Sequence, residues 1–166
     1  MRITRLNGID ITSDAQAFPD KVEILCTATG AISVGKAVKI DLTDTAGYKV
    51  IEAAAAVANT SLVVGIYEGI GGRGAAAGTG YRGAAALSGD SIFVTAYGKA
   101  TATVEGLASS AAGQRCIVGT AAAAGNLKVI ANEAAAADDK YAAPFVILEQ
   151  YQTTTAAAKA VFVRCL

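Results

Sequence analysis

Neither histidine nor tryptophan occurs among the 166 residues. Without histidine the chain lacks the side chain that most often exchanges protons near neutral pH, and the commonest ligand of protein-bound metals. Histidine-assisted nucleophilic catalysis and the usual zinc sites are therefore excluded. Charge is sparse as well. Only 17% of residues are charged, and 14 Lys and Arg balance 14 Asp and Glu, so no net field draws the chain towards nucleic acid or an anionic membrane. Cysteine is limited to Cys26, Cys116 and Cys165, far apart and in no metal-ligand spacing. Each lies in an apolar run ("EILCTA", "RCIVG", "FVRCL"), where a free thiol behaves as a small hydrophobe. Unpaired thiols fit synthesis in a reducing compartment. Long apolar runs are also missing. The most membrane-like window, 50–67, is interrupted by Glu52 and by Asn59, Thr60 and Ser61, and alanine is too weakly apolar to carry a span. The first twenty residues lack the continuous apolar core of a signal peptide. A soluble chain with no membrane partner is expected.

What is abundant is small and apolar. Hydrophobic residues make up 53% of the chain, and alanine supplies a little under a quarter of it. Small side chains suit close backbone packing and weakly charged contact surfaces, which leans towards assembly. β-branched residues recur at alternate positions in ten short runs: 21–29, 36–42, 48–53, 61–68, 91–98, 99–106, 115–120, 126–131, 144–152 and 159–166. Spacings of roughly ten residues, with turns at "TDTAG", "AYGKA" around Gly98 and "AAAAGN", predict an all-β fold: a small antiparallel β-barrel or sandwich. The alanine-rich stretches 52–58 and 132–139 are too short for stable helices, and 107–113 makes at most one turn ending at Gly113. They read as loops or caps on the β core.

Two segments stand apart. Residues 1–20 are polar, contain Pro19 and predict an extended N-terminal arm, leaving 21–166 as the barrel or sandwich domain. "KAVKIDL" at Lys36 and "KAVFVRCL" at Lys159 echo each other faintly. Convergence on strand chemistry explains the pair as well as duplication does.

The second unusual segment is the glycine-rich stretch "GIGGRGAAAGTGYRGAAALSGD" from Gly69 to Asp90. Its first six residues match G-x-G-x-x-G after an apparent strand, the order of a dinucleotide-binding turn. A helix must then begin within the motif so that its amides meet the phosphates. Here Gly78, Gly80, Gly83 and Gly89 interrupt any helix, and Asp90 precedes a strand instead of ending one. The reading is a long glycine-rich loop over 69–89, not a phosphate cradle. Arg73, Tyr81 and Arg82 are its only large side chains. Arginine and aromatic anchors on a pliant backbone fit a segment that orders against a partner, and a solvated flap fits equally well.

The remaining acidic candidates, Asp41 with Asp44 and Asp138 with Asp139, lie in turn-like segments where aspartate bonds local amides. "SGDS" at 88–91 resembles neither a nucleophile elbow nor a metal loop. The sequence implies no catalytic residue, no metal and no cofactor, and a structural or binding protein in preference to an enzyme.

The run "TGAISVGKAVKIDLTDTAGYKVIEAA…SLVVGIYEG…LSGDSIFVTAYGKATATVEG" resembles the phage capsid decoration (cement) proteins of the small β-barrel type. The elements that carry the resemblance are Gly35 with Val38 and Ile40, the alanine-rich 53–58, Val63 to Ile66, and Gly89-Asp90 with Val94 and Gly98; "AAGQRCIVGTAAAAGNLKVI" resembles the closing strand pair. The departures are the long 69–89 loop and the strands after Pro144. The resemblance implies a virion protein, made in the host cytoplasm, that binds the outer surface of an icosahedral head and bridges major capsid subunits. It implies the major capsid protein as a partner; further copies of the chain are a second expected partner, with a trimer favoured and a dimer or monomer as alternatives, and the neutral net charge argues against contact with nucleic acid. Arg2 and Arg5 of the arm, with Arg73, Tyr81 and Arg82 of the loop, are the expected shell contacts. A tail, fibre or adhesion β-module shares the β-rich, glycine-rich pattern and is the alternative, although adhesion grooves favour more aromatics than the 6% present. An enzyme using the loop as a lid is a further rival, disfavoured by the missing histidine.

Overall fold

The computed structural model of the chain describes residues 5–6, 9–10, 21–43, 49–53, 63–71, 85–118, 124–130 and 144–165. Among them every regular element is a strand: β1 (Arg5–Leu6), β2 (Ile9–Asp10), β3 (Lys21–Ala28), β4 (Lys36–Ile40), β5 (Lys49–Glu52), β6 (Val63–Gly71), β7 (Ser91–Glu105), β8 (Arg115–Val118), β9 (Leu127–Val129), β10 (Phe145–Ile147) and β11 (Ala157–Arg164). The all-β barrel expected from the sequence is present, and it is built twice.

β7 organises both halves. Along its 15 residues burial alternates with period two, from Ile92 and Val94 to Ala100, Ala102 and Val104, so one face is inside throughout. The expected turn at Gly98 does not form. Gly98 takes φ +101, a conformation other residues rarely adopt, and the strand continues through it. Two expected strands are therefore one.

A first ring runs β3–β5–β4–β6–β7 and closes through the β7–β3 ladder. The second runs β7–β9–β8–β10–β11 and closes through the β11–β7 ladder. Each ring has one parallel pair, β3 with β5 and β7 with β9, where a wholly antiparallel sheet was expected. In both, a strand rather than a helix makes the crossover: β4 lies between β3 and β5 in the chain, and β8 between β7 and β9. That reversal brings the third strand back parallel to the first.

The two rings share one register. If Ala28 is set against Val104, the pair Ala28↔Val50 maps onto Val104↔Leu127, and Ile40↔Val50 onto Val118↔Leu127. Two residues back, Val38↔Gly65 maps onto Cys116↔Phe145, and two residues on, Tyr67↔Val94 maps onto Ile147↔Val161. The closing pair Ile24↔Val94 then maps onto Ala100↔Val161, which returns to the starting strands without losing a residue. Loop details repeat as well. Gly35 (φ +77) donates its amide to Tyr67 O at 2.8 Å, and Gly113 (φ +88) to Ile147 O at 2.8 Å. Ala53 N bonds Ala37 O and Ile130 N bonds Arg115 O, each at 2.9 Å. The echoing segments at Lys36 and Lys159 are not counterparts, since β4 corresponds to β8 and not to β11.

Each ring has its own core. The first encloses Cys26, Ala28, Ile32, Val38, Val50, Tyr67, Ala86, Ile92 and Val94. The second gathers Val104, Leu127, Val129, Phe145, Ile147, Val161 and Val163, and also takes Ala37, Ala53 and Ile66 from the outer side of the first ring. Alanine thus serves the junction, where short side chains let the rings approach. Gly125 (φ +71) is part of the same contact: it accepts the Ala37 amide and donates to Ala53 O, and a Cβ there would lie 2.8 Å from Lys36 Cβ and Glu52 Cγ.

β1 and β2 pair with each other, and β2 meets β3 at Ile9↔Val22. The glycine-rich segment begins later than expected: Ile70 and Gly71 still pair with Phe93 and Ile92. At its far end Ala86 bridges Ile32, and Leu87–Asp90 forms the turn into β7. Residues 107–113 form turns, with Ser110 N bonding Leu107 O at 2.9 Å. The alanine-rich stretches fall almost wholly outside the described residues.

Candidate interaction surface

Polar side chains cluster where the rings meet. Glu68, on β6, accepts bonds from Lys21 Nζ and Thr95 Oγ1 through Oε2, and from the Thr101 amide at 2.8 Å through Oε1. Lys21 Nζ also lies 3.1 Å from Glu23. Thr101 belongs to the second half of β7, so one carboxylate ties the first ring to the second. The two carboxylates share one ammonium, and Glu68 is further occupied by donors on both oxygens; this is a fastening, not an acid–base pair awaiting substrate. Beside it the Thr103 amide donates to Gly35 O at 2.8 Å, and Asn126 receives Lys36 Nζ while donating to Glu105 at 2.9 Å.

"SGDS" proves to be a strand-entry turn. Asp90 Oδ2 accepts the Leu87 amide at 2.9 Å, and Ala28 N and Gly89 N bond Asp90 O and Ala28 O. Asp90 is fully buried, and its Oδ1 has no hydrogen-bond partner among the described residues. Burial first, and the nearby Asp90 charge second, push the Tyr67 hydroxyl above its ordinary pKa. Asp41 acts locally as expected, accepting from Thr43 Oγ1 (2.6 Å) and Thr43 N (3.0 Å), and the Thr43 bonds hold its carboxyl below the usual range. Asp44, Asp138 and Asp139 lie outside the described residues. Burial pushes Cys26 up to about 11 and Cys116 and Cys165 to about 12, so all three stay protonated near neutrality. Among the described residues no group of His, Cys, Asp or Glu is placed to hold a metal ion, and no helix is long and apolar enough to cross a membrane.

Of the expected shell contacts, Arg2, Arg73, Tyr81 and Arg82 lie outside the described residues; Arg5 opens β1. The described surface offers instead a set of exposed large apolar side chains: Leu25 (58%), Val34, Leu42, Leu87 and Leu148 (41%). Sequence reasoning passed over Leu25 and Leu148 because each sits inside an apolar run, "EILCT" and "FVILEQ". The signal was available: three or more consecutive apolar residues in a strand cannot all face inwards.

The geometry defines a double β-barrel whose described surface carries several exposed large apolar side chains. No family model matches the chain, and no curated protein matches it. Among solved structures, a chain of "The capsid of Myoviridae Phage XM1" superposes with a TM-score of 0.51 at 17% identity, covering 98% of this chain and 94% of that one. The two chains share a fold over nearly their whole lengths.

Proposed function

We propose that this chain is a non-enzymatic structural protein of a phage virion, which attaches to the outside of an icosahedral head and stabilises it by bridging major capsid subunits. The observation that carries the reading is the whole-length likeness of fold to a chain of a phage capsid. Three further features support it. The carboxylates at the ring junction are committed to structure, the Cys26 and Cys116 thiols are buried and the Cys165 thiol half-buried, and zero net charge suits a shell exterior better than packaged DNA. In this reading the arm, with Arg2 and Arg5, and the glycine-rich segment, with Arg73, Tyr81 and Arg82, contact neighbouring shell subunits. Several weak contacts engaged together hold firmly, because each later one forms at high effective concentration.

The test is the copy number in purified particles, measured by mass spectrometry against the dominant shell protein. A simple fraction of the shell copy number supports the reading. A handful of copies per particle indicates a tail or fibre component, and absence from particles overturns it. Deleting residues 1–20 should weaken attachment to heads while leaving the melting temperature of the barrels within a few degrees. Full retention of the truncated chain on heads would remove the arm from the contact.

A further inference from the structure

We infer that the outer face of the second ring, centred on Lys99, Phe162 and Arg164, is the surface that takes the partner, and that the partner presents an acidic protein surface to it. This rests on the virion role proposed above and deepens it. The face is built on one transverse row of outward-facing side chains. On β7 and β11 the residues between the buried ones face out, and the ladders set Lys99 beside Phe162, Phe162 beside Val146 and Val146 beside Arg115. Ile130 ends the row, its amide bonded to Arg115 O. The adjoining row sets Tyr97 beside Arg164, and the Tyr97 ring stands edge-on to Phe162 with centroids 5.2 Å apart.

Lys99 and Arg164 are exposed, and Phe162, Val146 and Ile130 are half-buried. With Arg115, three cations flank an aromatic pair, and among the described residues no carboxylate occupies an outward position in either row. Glu149 borders the face, but the Ala160 amide at 2.8 Å and Lys159 at 3.4 Å already hold it. On a chain of zero net charge this is a local positive field over apolar ground. Opposite charge steers such a surface to its partner, and arginine and aromatic side chains supply much of the energy once they meet. The same position in the first ring is a docking position. Its matching row is Glu23, Thr95, Ile66, Ala37 and Ala53, all buried, with the last three packed into the second core. In the second ring Phe162, Arg115 and Ile130 stand for Thr95, Ala37 and Ala53. That row is too bulky and too positive to repeat the internal contact, since an arginine buried there without an acid is costly. It takes a surface that brings carboxylates. Three cations fall short of the long basic track that a nucleic-acid backbone needs, and the apolar side chains between them fit a protein surface of mixed character.

The test uses the full-length chain and phage heads assembled without it, with binding read by co-sedimentation. Wild type should bind at low salt and release by about 0.5 M NaCl, where the screening length is about 4 Å. Lys99→Glu and Arg164→Glu, both at exposed positions, should each weaken binding about tenfold at low salt, and together about a hundredfold, with melting unchanged. Lys39→Glu, the same change on the first ring, should bind as wild type does. Heads that hold the double variant as tightly as wild type overturn the inference and leave the virion role standing; heads that bind no wild-type chain overturn both. Binding of wild type to an oligonucleotide of about 20 residues or to phosphatidylserine vesicles, lost in the same variants, would give the face to nucleic acid or membrane and overturn the inference. So would a wild-type oligomer that the two reversals dissolve, since the face would then belong to a second copy. A fall in melting temperature in the two variants, restored by Asp138→Lys or Asp139→Lys, would mean that the chain's own acidic stretch fills the face, and overturns it as well.

Discussion

Single positions in this protein divide sharply into those with room and those without. A Cβ on Gly65 would lie 2.0 Å from Thr95 O, and one on Gly106 would lie 2.1 Å from Tyr151 O, whereas nothing lies within 4 Å of the same atom on Gly30. Gly65→Ala and Gly106→Ala should each lower unfolding free energy by about 2–4 kcal/mol, because backbone must move to admit the methyl. Gly30→Ala should be neutral or stabilising by a few tenths of a kcal/mol. Urea denaturation of the three variants checks both statements, and equal losses at all three would refute the steric account. The thiols make a second contrast. With Cys26 at about 11 and Cys116 and Cys165 at about 12, against an ordinary 9.0, the folded chain keeps protons that the unfolded chain releases. Their contribution to stability is complete below pH 9 and falls as pH rises through 11 to 12. At pH 8 a thiol-specific reagent should label native protein far more slowly than protein in denaturant, where all three react. Rapid labelling of native protein at Cys26 or Cys116 would contradict their burial.

Among the elements, β7 shows what the sequence discloses and what it withholds. Period-two alternation located both of its halves, since that pattern is a local consequence of the pleat. Continuity through Gly98 was not legible: a glycine after an aromatic reads as a turn unless neighbouring strands hold it extended, and here β3 and β11 both pair with it. The parallel pairs were hidden for a related reason, as strand order around a ring is set by contacts between distant segments. Glu68 also acts at this scale. Replacing it with alanine leaves Thr95 and the Thr101 amide without this acceptor and Lys21 with Glu23 alone, and should cost about 2 kcal/mol. Glu68→Gln keeps one acceptor and should cost less. A double-mutant cycle with Lys21→Met should be non-additive, and strict additivity would mean that the two side chains are not coupled.

At the scale of the molecule, the repeat is complete in register and almost absent in sequence. Counterparts such as Tyr67 and Ile147, Ile24 and Ala100, or Gly65 and Phe145 differ in volume, and each core is packed to suit its own set. Gly35 with Gly113 and Val94 with Val161 are among the few positions that keep their identity. The candidate surface was equally veiled, because exposure of Leu25 and Leu148 depends on which face of a strand the ring encloses. Sharing β7, and lending Ala37, Ala53 and Ile66 to the second core, should make the rings unfold together. Calorimetry should show one transition whose van't Hoff and calorimetric enthalpies agree, and two separated peaks would show that the junction is weaker than either ring. The pairing at the middle of β7 has one more consequence. Lys21 and Arg164 lie opposite Gly98 and Tyr97, adjacent residues of that strand, on its two edges. Entry to and exit from the paired barrels are thus roughly 10 Å apart, two strand spacings. A pull between those points would run crosswise through three neighbouring strands and leave the interior of both barrels out of the load path, so the body would hang from its anchorage like a pendant from a single clasp.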